Sequence, residues 1–77
     1  MTISAPRVTA GNGRITIYAP ANAIIEWAEI HSTNGTLVEK ENDIDYSYSA
    51  TLPSAIYLVR LSVEGHVYTY KLLLTDK

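Results

Sequence analysis

The sequence predicts an all-β domain, a sandwich of about seven antiparallel strands. Helix signals are nearly absent: no stretch holds apolar residues at i, i+3, i+4 and i+7 without a turn residue breaking it. β-branched and aromatic residues come instead in short runs. Gly, Pro, Asn and Asp separate those runs at the spacing typical of a sandwich.

A weak first strand is expected near Arg7–Thr9, and "GNG" (11–13) turns the chain into "RITIYA". "PAN" (20–22) leads into "AIIEWAEIHS", and "NG" (34–35) into "TLVEK". "ENDID" (41–45) precedes "YSYSA", and "LPSA" (52–55) precedes "IYLVRLSV". "EG" (64–65) then turns into "HVYTYKLLL". Residues 1–77 read as one domain, with 1–13 as a weak first strand or linker remnant.

The closing hairpin can be registered from sequence alone. A two-residue Glu64–Gly65 loop pairs Val63 with His66, because such turns want glycine where φ is positive. Leu61 then faces Tyr68, Val59 faces Tyr70 and Tyr57 faces Leu72, all on one apolar face. The opposite face carries Ser62 with Val67, Arg60 with Thr69, Leu58 with Lys71 and Ile56 with Leu73. A one-residue slip would bury Arg60 or Lys71, so the register is firm. The strand after Asn22 is less clean. Glu26 falls on the face of Ile24, Ala28 and Ile30, while Ile25 and Trp27 point the other way. Either a bulge near Glu26–Ala28 or a strand apolar on both sides accommodates this.

Composition narrows the function. The 77 residues carry six basic and eight acidic side chains, a formal charge of −2, and no cysteine. The fold therefore has neither disulfides nor a thiolate zinc site to stand on. No basic stripe is present to neutralise phosphates, which argues against a nucleic-acid partner. Apolar runs fall short of the roughly 20 residues a membrane helix needs, so the chain is not expected to span a membrane. The opening "MTISAPRVTAGNGR" has no signal-peptide h-region, consistent with a cytoplasmic protein or a piece of a longer one.

No constellation points to catalysis, a metal or a cofactor. His31 and His66, the two side chains suited to acid–base work near neutrality, flank turns, where a polar ring is ordinary. No G-x-S-x-G elbow marks a nucleophile. Asp43 and Asp45 lack the ligand density and terminal Glu of a calcium loop and read as a solvated turn. Gly11 and Gly13 precede no helix, so they do not form a phosphate cradle. Glu26 and Glu29 are expected on opposite faces and make a poor acid–base pair. Tyr57, Tyr68 and Tyr70 read as core, Tyr18, Tyr46 and Tyr48 stay undecided, and Trp27 is the expected exposed anchor.

The order of the later segments resembles the C-terminal sorting domain of type IX secretion cargo proteins. Asn34 and Gly35, followed by Leu37 and Val38, are similar to that family's "nG" turn and short strand. Leu52, Pro53, Tyr57, Val59, Arg60 and Leu61 resemble its next block. Gly65 matches its final turn, and Lys71, Leu72, Leu73 and Leu74 its closing strand. The resemblance spans about residues 14–77. It departs where the family's glycine falls on Ala55, and where His31 and Thr33 replace aromatic and apolar residues.

The resemblance implies a seven-stranded, immunoglobulin-like sandwich that exports an upstream cargo across the outer membrane of Bacteroidetes bacteria. Its implied partners are the type IX translocon or shuttle proteins and a sortase. Its implied location is the periplasm in transit and then the cell surface. On this basis Arg60, Gly65, Thr69, Lys71, Leu72, Leu73 and Leu74 are the expected recognition residues, on the outer face and edge of the last two strands. The competing view is that Arg60 and Lys71 only keep an edge strand soluble. Alternative functions are an accessory sandwich binding carbohydrate or protein at the cell surface, and a self-associating structural module.

Overall fold

The turn residues of the sequence become chain reversals in the computed structural model, which describes residues 5–75. Seven strands result: β1 (Arg7–Gly11), β2 (Arg14–Tyr18), β3 (Ile25–Ser32), β4 (Leu37–Asn42), β5 (Ser47–Thr51), β6 (Ala55–Val63) and β7 (His66–Leu74). No helix occurs among the described residues, and hence none long and apolar enough to cross a membrane. β1 is a full partner of β2 and runs to Gly11, two residues beyond the expected weak strand. Residues 1–4 of the expected linker remnant lie outside the described residues.

Two turns share one chemistry. Asn12 and Gly13 have φ of 54° and 71°, and Glu64 and Gly65 have 50° and 82°. Positive φ at both central residues defines the type I′ turn, whose twist matches that of the strands it joins. The second turn sets the β6–β7 register from Val63↔His66 through Ala55↔Leu74 without interruption, as the sequence predicts.

The strands form two antiparallel sheets in the orders β1-β2-β5 and β4-β3-β6-β7. Strands 1, 2 and 5 against strands 3, 6 and 7 is the immunoglobulin-like division, here with β4 beside β3. A second mark of that fold appears at the corner entering β6. Tyr57 sits near the start of β6 with 4% exposure, and its hydroxyl donates to the Pro53 carbonyl at 2.7 Å. This is the tyrosine corner that ties a sheet-to-sheet crossing to the strand that follows it. Ala55 has no positive φ, so β6 begins there unstrained.

The core lies between the sheets. Ile15 and Ile17 of β2 meet Ile25 and Ile30 of β3 and Val59, Leu61 and Val63 of β6, all fully buried, with Leu74 closing the end of β7. Each such side chain contributes roughly 1.5–3 kcal/mol when removed from water. Tyr48, Tyr68, Tyr70 and Leu72 pack against this cluster partly buried. Three hydrogen bonds close the sides. The Tyr48 hydroxyl donates to Glu39 Oε1 at 3.3 Å, bridging β5 to β4. On the other side the Tyr70 hydroxyl donates to the Pro6 carbonyl at 3.4 Å, and Gly13 N–H to the Thr75 carbonyl at 2.7 Å.

Candidate functional site: the outer face and edge of the closing hairpin

The alternation of β6 and β7 sorts their side chains cleanly. Tyr57, Val59, Leu61 and Val63 are buried, while Arg60 between them is exposed. On β7, Val67, Thr69, Lys71 and Leu73 are exposed, and Tyr68, Tyr70 and Leu72 are half-buried. Arg60 lies opposite Thr69 and Leu58 opposite Lys71, as expected. β7 is an edge strand, with β6 as its one strand neighbour among the described residues.

The seven expected recognition residues divide in two. Arg60, Thr69, Lys71 and Leu73 share the outer face, and Gly65 sits exposed at the hairpin turn. Leu74 is 0% exposed and belongs to the core, so its side chain is not part of the displayed surface. Leu72 points the same way and is half-buried. The physical reason is the period of two, which turns Leu72 and Leu74 inward once Leu73 faces out.

β3 supplies the middle of this face, and its register shift between Ile25 and Trp27 decides what is displayed. The bulge, one of the two alternatives the sequence leaves open, is what occurs. It overturns the expectation that Glu26 and Glu29 face apart. The extra residue brings Glu26 to the outer side, where Oε1 accepts from Ser62 Oγ at 2.7 Å and Gly65 N–H at 3.0 Å. Those two hydrogen bonds, the Ser62 one first, hold the Glu26 carboxyl below its ordinary value of 4.5. Ser62, only 4% exposed, is thereby satisfied.

Glu29 organises the centre of the face. Its Oε1 accepts from His31 Nε2 at 3.1 Å, its Oε2 lies 3.6 Å from Lys40 Nζ, and Arg60 Nη1 is 4.0 Å away. The hydrogen bond from His31 leads in lowering the Glu29 carboxyl, with Lys40 assisting against burial. Three cations, Lys40, Arg60 and Lys71, thus share this face, and Glu29 neutralises in part the first two. Among the described residues Lys71 has no acidic group within 4.0 Å. The chain as a whole is acidic, so this face opposes its net charge.

The remaining aromatics fall into place. Trp27 is half-buried, and Tyr46, at 71% exposure, is the open aromatic instead. Trp27 loses surface because it sits in mid-sheet between Asn42 and Ser62, whereas Tyr46 rides the loop entering β5. Tyr18 carries the Arg7 guanidinium 5.0 Å from its ring centre. Asp43 and Asp45 serve the chain crossing through their backbones: Asp43 N–H donates to the Glu26 carbonyl, and the Asp45 carbonyl accepts from Ile25 N–H.

No protein-family model matches this sequence. No curated protein is significantly similar to it.

Proposed function

We propose that this domain is a non-catalytic sorting signal of the type IX secretion kind, directing an attached cargo across the outer membrane and onto the cell surface. The observation that carries the reading is the closing hairpin. One of its faces is sunk in the core, and the other holds Arg60, Thr69 and Lys71 in water, the last two on the edge strand. A signal of this type needs a rigid, accessible surface and no chemistry of its own. The tyrosine corner and the three-plus-four sheet order support it further, since the resemblance implies an immunoglobulin-like frame. Cleavage and surface attachment then belong to the translocon and sortase, met in the periplasm and at the outer face.

Fusing residues 1–77 to a periplasmic reporter in a type IX-competent strain tests the proposal. Reporter exposed to externally added protease is the expected result, and reporter confined to the periplasm rejects it. Truncating residues 72–77 is a poor variant for this purpose because it removes Leu74 from the core.

A second reading has its own observation. Ile24 at 45% exposure and Tyr46 at 71% stand beside Asn22 and Glu64, around a shallow cavity of about 470 Å³ where three loops meet. An accessory domain binding a sugar ring would use such a stacking surface. Glycan binding lost in Tyr46→Ala favours it.

A further inference from the structure

Among the described residues four strands lie at sheet edges, and they are not alike. β1 and β5 are five residues each, too short to template much pairing. β4 carries Glu39, Lys40 and Glu41, and its register with β3 shifts at Ile30/His31. Charge and irregularity of that kind blunt an edge against further pairing. β7 has less of that protection among the described residues, although β1 packs near it and Gly13 N–H donates to the Thr75 carbonyl just past its end. It runs nine residues in unbroken register and has Lys71 as its one permanent charge. It also leaves Val67 51% and Leu73 65% exposed.

The hairpin turn fixes which backbone groups face outward. A two-residue loop closes on a hydrogen-bonded pair, here Val63↔His66, after which bonded and non-bonded pairs alternate. Val67, Thr69, Lys71 and Leu73 therefore stand in non-bonded pairs and aim their N–H and C=O groups away from β6. The next residue of that series, Thr75, already has its carbonyl taken by Gly13 N–H. The same four residues present exposed side chains, so one stretch offers both a backbone ladder and a side-chain pattern.

We infer that the outer edge of β7, which no strand pairs among the described residues, accepts an added strand from a partner: an extended acidic segment whose apolar residues flank the acid. Val67 and Leu73 call for apolar neighbours on the outer side, and Lys71 between them, with no acidic partner among the described residues, calls for a carboxylate. Charge also argues against a second copy as occupant. Pairing β7 with itself about a two-fold axis brings the Lys71 side chains of both copies to the same face of one seam, with Arg60 of each copy one strand behind, and like charges so placed repel. The inference rests on the reading that a partner contacts the closing hairpin, and it adds the chemistry of that contact.

The probe is the capped peptide Val-Thr-Glu-Thr-Glu-Thr-Val, titrated into the isotope-labelled 77-residue chain and followed by amide NMR. Its pattern is the same in both directions, so it fits parallel or antiparallel addition. Saturable shifts along Val67–Leu73 are expected, with slowed amide exchange at Val67, Thr69, Lys71 and Leu73. The Lys-for-Glu peptide should bind at least tenfold more weakly, and Lys71→Glu should reverse that preference. Thr69→Pro removes an outward N–H, a change an edge strand tolerates. It should abolish binding while the melting temperature of the free domain shows the fold retained. Shifts centred elsewhere, equal binding of both peptides, or concentration-dependent dimerisation through β7 overturns the inference. Surface delivery of a reporter by the folded Thr69→Pro domain would sink strand addition and leave the sorting reading standing.

Discussion

The carboxylate of Glu26 accepts a hydrogen bond from the backbone N–H of Gly65 at 3.0 Å, joining the bulge of β3 to the turn of the closing hairpin. The same oxygen holds Ser62 Oγ at 2.7 Å. One side chain therefore ties the bulge of β3 to the end of β6 and to the turn that follows it.

Replacing Glu26 should loosen that turn. Glu26→Ala is expected to lower the melting temperature more than Glu26→Gln, which keeps a carbonyl acceptor for both donors. Amide exchange at Gly65 should rise in the Ala variant and change little in the Gln variant. Equal melting temperatures for all three proteins would show that the contact is incidental.

Acid should weaken the fold through the same groups. Glu26 and Glu29 both have folded pKa values below 4.5, through the Ser62 and His31 hydrogen bonds first of all. The unfolded chain therefore binds more protons, and the stability these groups add is fully present above about 4.5. It is lost as pH falls below that value through the folded values. Denaturant midpoints measured from pH 7 to pH 2 should fall, and the Glu26→Gln/Glu29→Gln double variant should show a flatter profile.

At the corner before β6, Tyr57→Phe removes the hydroxyl that satisfies the Pro53 carbonyl at 2.7 Å. The expected cost is about 1 kcal/mol. For a domain of this size that lowers the melting temperature by roughly 4–8 °C. An unchanged melting temperature would mean that water replaces the hydroxyl at no cost.

Gly65→Ala isolates a backbone effect. A Cβ there meets no atom within 4 Å, yet φ is +82°. The predicted destabilisation, about 1–2 kcal/mol, is conformational strain alone. Gly65→Asn should recover part of it, because asparagine tolerates that region better.

What could be read from the residues was the part governed by local alternation and turn chemistry. The β6–β7 register followed from Glu64–Gly65 and two runs of period two, and a one-residue slip would have turned Arg60 or Lys71 into the core. The conflict at Glu26 signalled a bulge, but sequence left open whether the strand bulged or was apolar on both sides. What resolved it lies 36 and 39 residues away in Ser62 and Gly65, a long-range contact that periodicity does not encode. The Tyr57 corner hid for a different reason. Its ring reads as ordinary core, and the Pro53 carbonyl becomes its partner only once the chain crosses between sheets. Counting alternation strictly would have placed Leu74 inside with Leu72; matching the closing strand as a block of three apolar residues obscured it. The charge cluster around Glu29 needed the β3–β4 and β3–β6 registers together, since Lys40 and Arg60 approach from opposite neighbours.

A buried neighbour and a displayed residue should behave as opposites on mutation. Leu61→Ala empties a fully buried position and should cost about 2–5 kcal/mol. Arg60→Ala, one residue earlier and exposed, should stay within about 0.5 kcal/mol. Chemical denaturation of the two variants gives the comparison.

The decisive measurement is surface delivery of a reporter fused to the Arg60→Glu/Lys71→Glu domain, with the fold of that domain checked by its melting temperature. A signal read at the outer face of the closing hairpin predicts a folded domain whose reporter stays in the periplasm. A folded, charge-reversed domain that still brings its reporter to the cell surface at the unmodified level would contradict it.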